Sequence, residues 1–350
     1  MASPSDRRPG AWRPSIGSAS VRYAAMAATT FLLFGVILLL AGKNPLLAYR
    51  DILTSTLGSA YGISEVIVAM TPLLLTALAV ALPSRLGLIN VGGEGQLYMG
   101  ALLATWAALR LDHLPGWALL PLMIVLGMIG GGLWALIPGY LRAHGIVNET
   151  ITTLLLNAVA PSLVSFFVFG FWHSPMDTNK TANFVPAARL PTLFDTRVDF
   201  SLVIGVALLA LFWFVIKYTR WGLEMRAIGG NPQASRRNGI PVRGYTIGVM
   251  CLAGALAGLA GMAQVSGYYG VLLANFSRGI GYMGFLVSWL AGGSPLGIFL
   301  TSLVVAIILT GGNLLQLTRD VPYSVIHILL AVTLFVVLAR PTFARRRKAA

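Results

Sequence analysis

Charge is scarce in this sequence, and acidic charge is the scarcest. Asp, Glu, Lys and Arg make up 10% of 350 residues, against about a quarter in an ordinary soluble domain. Only 11 residues are acidic. None of them falls at the centre of an apolar block, unless the segment around Glu94 turns back into the membrane. That argues against an ion-coupled secondary transporter, which needs ionisable groups near the bilayer middle. Cysteine is nearly absent as well. The single Cys251 excludes an intrachain disulfide and any multi-cysteine metal site. The four histidines, His113, His144, His173 and His327, fall in separate segments without metal-ligand spacing, so no metal site is expected. There is no Gly-x-x-x-x-Gly-Lys-[Ser/Thr] sequence, so the chain binds no ATP through a P-loop. A Gly-x-Ser-x-Gly elbow and a Ser/His/Asp set are missing too, which leaves an intramembrane enzyme without a nucleophile.

Apolar residues are what the chain has in abundance, at 57%. They come in blocks of about 18 to 25 residues, the length that crosses a hydrocarbon core of ~30 Å as a helix. The pattern predicts an all-α, polytopic membrane protein with about ten spans: 23–42, 63–82, 94–110, 116–139, 150–171, 199–217, 244–264, 278–293, 295–312 and 322–339. The 39 glycines fit this reading, because spanning helices use Gly for close backbone approach. Gly127/Gly131 and Gly254/Gly258 have the spacing of packing seams. The first apolar run is longer than the core of a cleaved signal peptide, so it is read as an uncleaved helix.

Ten crossings place both termini on one side. With that side cytoplasmic, 17 of the 25 Lys and Arg residues fall inside, as the positive-inside rule requires. The net charge of +14 is therefore assigned to loop retention and not to nucleic-acid binding. The resulting layout is a cytoplasmic tail over 1–22, a single membrane domain over 23–340 and a basic cytoplasmic tail over 341–350.

Two gaps between spans are long. The outer one, 172–198, carries Pro175, Pro186 and Pro191 and is expected to be irregular, with short helices at most. The inner one, 218–243, encodes a short helix of its own. Asn231 is an N-cap, Pro232 takes the first helical position, Gly239 supplies the stop and Pro241 prevents continuation. That helix is basic at its C-terminal end, with Arg236 and Arg237.

Polar groups gather in two places near span ends. The first is Gly87-Leu88-Ile89-Asn90-Val91-Gly92-Gly93-Glu94-Gly95-Gln96. It reads either as a broken, re-entrant element lining a solute path, or as an interfacial loop with Glu94 in the first turn of the following helix. The second is Asn148-Glu149-Thr150-Ile151-Thr152-Thr153, with Asn157 beyond it. Here Asn148 and Glu149 have the alternative of capping a helix. Asn157 is read as an interhelical hydrogen bond or a substrate contact.

These segments, with Ala227-Ile228-Gly229-Gly230-Asn231-Pro232-Gln233-Ala234 and Asn238-Gly239-Ile240-Pro241, resemble the permease subunit of a bacterial ABC importer. The superfamily is that of the ribose, branched-chain amino acid and nucleoside permeases. The Asn-x-Gly-Gly-Glu-Gly-Gln form is similar to the nucleoside branch. The resemblance covers about 60–340, with Thr150 and Ala158-Val159 departing from the commoner family sequence.

The resemblance implies the ABC importer permease fold in the plasma membrane, and a translocation path drawing on Asn90, Gly92, Gly93, Glu94, Gln96, Asn148, Glu149 and Asn157. It implies a coupling helix involving Gly229, Asn231, Pro232, Ala234, Arg236, Arg237 and Gly239. The expected partners are an ABC ATPase subunit that binds the ATP and magnesium, a second permease subunit, and a lipid-anchored or periplasmic substrate-binding protein. No cofactor is expected on this chain. The alternative cargoes are simple sugars and branched-chain amino acids.

Overall fold

The computed structural model describes residues 32–33, 35–40, 42–174, 177–193 and 196–319, with 325, 328, 331 and 332 beyond them. Two compact units divide the chain. One is Asp51–Leu314; the other takes in both ends, Met1–Arg50 and Leu315–Ala350. The described residues are mostly helical. The first predicted span, 23–42, lies mostly outside the described residues. Of the tenth, 322–339, only 325, 328, 331 and 332 are described, and all four are helical.

The helices are α1 (Pro45–Leu57), α2 (Ala60–Ser84), α3 (Gly93–Arg110), α4 (Gly116–Ala143), α5 (Glu149–Phe169), α6 (Ser201–Tyr218), α7 (Arg220–Gly230), α8 (Pro232–Arg237), α9 (Val242–Ala263), α10 (Ile280–Leu290) and α11 (Pro295–Arg319). A π-helical stretch, Gln264–Tyr269, continues α9. Six helical segments among the described residues are long and apolar enough to cross a membrane: Ala60–Ser84, Gly116–Ala143, Glu149–Phe169, Ser201–Tyr218, Val242–Tyr269 and Pro295–Gln316. Each overlaps a predicted span. α3 also falls on a predicted span, although its Gly-rich, polar start keeps it out of those six.

Packing distinguishes central helices from peripheral ones. α2 is apolar all round and 89% of its most apolar stretch is buried, whereas α6 is equally apolar and only 17% buried. A helix apolar on every side is a core or membrane helix. Here the one faces protein and the other faces outward. The core lies where α3, α4 and α9 meet, around Leu97, Tyr98, Ala101, Met123, Leu259 and Met262.

The two glycine pairs marked in the sequence meet there. A Cβ on Gly131 would stand 2.1 Å from the Gly254 carbonyl oxygen, and one on Gly258 would stand 2.2 Å from that of Gly127. α4 and α9 therefore touch backbone to backbone. In a lipid solvent such packing drives association where the hydrophobic effect cannot.

The loop after α5 differs from expectation. Instead of short helices it contains a two-stranded antiparallel hairpin, β1 (His173–Ser174) with β2 (Asp177–Thr181), then a single 3₁₀ turn at Pro186–Ala188. Long-range bonds fix it: Thr181 exchanges hydrogen bonds with Leu272, Phe184 N–H donates to Gly270 and Leu190 N–H donates to Ser266. Helices α1 and α7 arise in stretches that the sequence reading left as connections.

Candidate functional site

α2 ends at Ser84, and Gly87 reverses the chain with φ +75°. Residues 88–92 then run back beside α2. Asn90 Nδ2 donates to the Ala79 carbonyl at 3.2 Å, and Ala79 lies about 7.5 Å up the helix axis from Ser84 at 1.5 Å per residue. α3 thus starts at Gly93, inside the bundle. Buried non-helical backbone must find its hydrogen bonds in the protein, and the sequence-predicted polar residues supply them.

Asn157, on α5, serves both directions at once. Its Nδ2 donates to the Val91 carbonyl at 2.8 Å and its Oδ1 accepts the Gly95 N–H at 2.9 Å. Glu149 Oε1 accepts the Ile89 N–H at 3.2 Å, while Oε2 pairs with Arg142 Nε at 3.0 Å. Asn90 and Gln96 join side chain to side chain: Asn90 Nδ2 donates to Gln96 Oε1 at 3.1 Å and Gln96 Nε2 donates to Asn90 Oδ1 at 3.0 Å. Asn90 Oδ1 also accepts the Gly92 N–H at 3.0 Å.

Glu94 sits in the first turn of α3 and also reaches a second helix. Its Oε1 accepts the Gly279 N–H at 3.2 Å and its Oε2 accepts the Gly281 N–H at 2.7 Å. The carboxylate therefore closes the N-terminus of α10, where the helix dipole favours an anion. The main chain of Gly93 approaches Gly281 in the same contact.

Seven predicted residues are thus brought into one buried cluster: Asn90, Gly92, Gly93, Glu94, Gln96, Glu149 and Asn157. Asn148 stands at its edge, exposed, with Oδ1 accepting the Thr150 N–H at 2.8 Å as the cap of α5. Asn157 makes the bonds of an interhelical link. Three further participants were not singled out in the sequence. Tyr98 donates its hydroxyl to Asn275 Oδ1 at 3.1 Å, and Gly281 and the non-helical stretch 270–279 face the same cluster. Gly270 and Gly279, both left-handed at φ +66° and +89°, bracket that second break. A second Gly-rich interruption was the clue to read.

The loop after α6 begins with α7, capped by Thr219, whose hydroxyl accepts the Gly222 N–H at 3.3 Å. Glu224 on α7 accepts hydrogen bonds from the Tyr245 hydroxyl and from Arg220 Nε. The Tyr245 bond, then that of Arg220, holds its carboxyl below the usual carboxylate range. α8 follows as the sequence predicts. Asn231 Oδ1 accepts the Gln233 and Ala234 N–H groups at 3.1 and 3.0 Å, and Pro232 takes the first position. Gly239 closes α8 at φ +80°, with its N–H donated to Arg236 and that of Ile240 to Ser235. Arg236 and Arg237 are exposed. Gly229, near the end of α7, lies against the Arg85 carbonyl, which a Cβ there would approach to 2.3 Å.

Among the described residues no group of three His, Cys, Asp or Glu side chains could hold a metal ion. What the arrangement offers is two broken segments, 85–92 and 270–279, each fastened by directional bonds to the helices around it, with α3 holding both.

Comparisons with known proteins follow the same outline. The family model described as "Branched-chain amino acid transport system / permease component" matches residues 62–338. The chain is 35% identical to the glucose ABC transporter permease protein TsgB13 of Haloferax volcanii, over 89% of this chain and 85% of that protein. It is 32% identical to the nucleoside ABC transporter permease protein NupB of Lactococcus lactis, over 89% and 88%. It is 33% identical to the guanosine ABC transporter permease protein NupP of Bacillus subtilis, over 86% and 88%. Among solved structures, a chain of PsaBC from Streptococcus pneumoniae in complex with Fab shares the fold, with a TM-score of 0.51 at 15% identity, over 83% of this chain and 95% of that one.

Proposed function

The chain belongs to the family of permease components of branched-chain amino acid transport systems, and from that premise we propose that it is the membrane permease of an ATP-driven importer whose cargo is a nucleoside. It is a multi-pass membrane protein. The observation that carries the cargo is the near full-length match to relatives named for nucleosides and guanosine. A sugar is the second reading, favoured by the equally long match to a relative named for glucose.

In this reading ten helices cross the membrane as one domain over 23–340, with both ends cytoplasmic. The segment 87–96 is re-entrant and borders the path, with Asn90, Gly92, Gly93, Glu94, Gln96, Asn148, Glu149 and Asn157 beside it. A second permease packs alongside, a binding protein delivers solute outside, and a separate ATPase holds the ATP and magnesium. The capped α8, with Gly229, Asn231, Pro232, Ala234, Arg236, Arg237 and Gly239, docks on that ATPase.

The permease forms and breaks no covalent bond. It supplies two global states, and the ATPase biases them through contacts that differ between the two. The buried cluster suits this task. Its bonds are directional, so a rearrangement exchanges one discrete pattern for another.

The test is uptake of radiolabelled uridine and adenosine by the complex reconstituted with its ATPase and binding protein, with glucose, ribose and leucine as competitors. Excess unlabelled nucleoside is expected to abolish uptake, and the sugars and leucine to leave it unchanged. Uptake competed by glucose or leucine but indifferent to nucleosides would overturn the cargo and leave the permease reading standing.

A further inference from the structure

α10 is short, 11 residues or about 16 Å, and both its ends are held by one stretch of chain. At its N-terminus the Glu94 carboxylate takes the N–H groups of Gly279 and Gly281. Beyond its C-terminus the chain makes a left-handed turn at Gly292 and Gly293, φ +59° and +68°. There Arg85 Nη2 donates to the Gly293 carbonyl at 2.6 Å. An anion thus meets the positive end of the helix dipole and a cation the negative end; Arg85 begins the non-helical run that joins α2 to α3, and Glu94 lies in the first turn of α3 just after it. Along its length α10 rests on α2 so closely that a Cβ on Gly284 would stand 2.2 Å from Thr76 Oγ1.

Arg85 has other neighbours. Its guanidinium lies 5.7 Å from the centre of the Phe212 ring on α6, within cation–π range. Its carbonyl meets Gly229 of α7 with no room for a side chain between them. α7 continues through Asn231 directly into α8. Its Nε meets no acceptor among the described residues, so the guanidinium has a donor to spare in this arrangement.

We propose that Arg85 is a positioning residue that, with Glu94, clamps α10 at both ends and carries movement of the α7–α8 loop to that helix. This rests on the importer reading above. α8 moves with its partner, α7 presses on Arg85 through Gly229, and Arg85 draws the Gly293 turn. α10 then shifts as one strut against Gly93 and Glu94.

The test compares wild type, Arg85→Gln, Arg85→Lys and Glu94→Gln, and the double variant Arg85→Gln/Glu94→Gln, in the complex reconstituted with ATPase and binding protein. Arg85→Gln is expected to insert, assemble and leave basal ATP hydrolysis unchanged, while solute imported per ATP falls at least ten-fold. Arg85→Lys, which keeps the cation at the helix end, should recover more than half of that loss. The double variant should transport no worse than the weaker single variant, because one clamp has been opened twice. Wild-type uptake in Arg85→Gln, equal loss in Arg85→Gln and Arg85→Lys, or additive losses in the double variant would each overturn the clamp. A second readout needs no transport: amide hydrogen exchange across 279–293 of the purified chain should rise in Arg85→Gln. Unchanged exchange there would also overturn it. If wild type itself imports nothing on ATP, the importer reading falls, and the exchange result still decides the clamp.

Discussion

Asn157 closes two buried backbone groups with one amide, the Val91 carbonyl and the Gly95 N–H. Removing that amide leaves both without a partner, at a cost of about 1–3 kcal/mol for each buried polar group left unmet. Asn157→Ala is therefore expected to lower the thermal midpoint of the purified chain by several degrees, and to slow uptake without changing which solute competes. A midpoint that stays within one degree of wild type would show the amide to be dispensable for the fold. The residue types at this cluster were legible in the sequence as polar groups among glycines near span ends, although a first-turn or capping role was an equal alternative for Glu94, Asn148 and Glu149. Their partners were not. Glu94 was expected in the first turn of α3, and it stands there, but its contacts with Gly279 and Gly281 lie some 185 residues away along the chain. No local pattern announces such a bond.

At the scale of elements, α8 could be read directly because everything that makes it is local. Asn231, Pro232 and Gly239 lie within nine positions, and each acts on its immediate neighbours. The preceding α7 was missed for the opposite reason. Its sequence, RWGLEMRAIGG, carries neither a strong apolar stripe nor a proline start. It is fastened through Gly229 against Arg85 and through Glu224 to Tyr245 on α9. The outer hairpin was likewise hidden, since Thr181 pairs with Leu272. Gly239→Pro removes the left-handed stop and the Gly239 N–H bond to Arg236, so it unravels the end of α8 whatever its partner's charge. The chain is expected to insert normally, while transport and solute-stimulated ATP hydrolysis fall together by at least ten-fold. Reversal of charge at Arg236 and Arg237 should act in the same direction and more strongly at low salt. Unchanged transport in both would reduce the loop to a connector.

For the whole molecule, the distribution of basic residues predicts an orientation. The hairpin loop and the α7–α8 loop are expected on opposite faces of the membrane, the second cytoplasmic. Ser235, on α8, is buried and a poor reporter, whereas Gln233 and Asn183 are exposed. In a chain with Cys251→Ser, Asn183→Cys should react with an impermeant maleimide added to intact cells, and Gln233→Cys should react only after the membrane is opened. Labelling of both from outside would contradict the orientation. Six membrane-length helices were legible where apolar blocks are uninterrupted. The reading was less direct at α3, whose polar start serves the buried cluster, and at the predicted span 278–293, where α10 supplies 11 helical residues and the rest of a crossing falls to the chain on either side of it.

The contact of Gly131 with Gly254 and of Gly127 with Gly258 bears on inheritance as much as on packing. At these four positions even one added carbon overlaps the opposing main chain or side chain, and no rotamer change can relieve an overlap with main chain. The smallest available mutation, Gly to Ala, is then already severe, and the chemistry of the replacement hardly matters. A screen for inactive variants of this chain should accordingly collect many at positions that touch neither solute nor partner. They would be recognised by defective accumulation of protein in the membrane, not by altered selectivity.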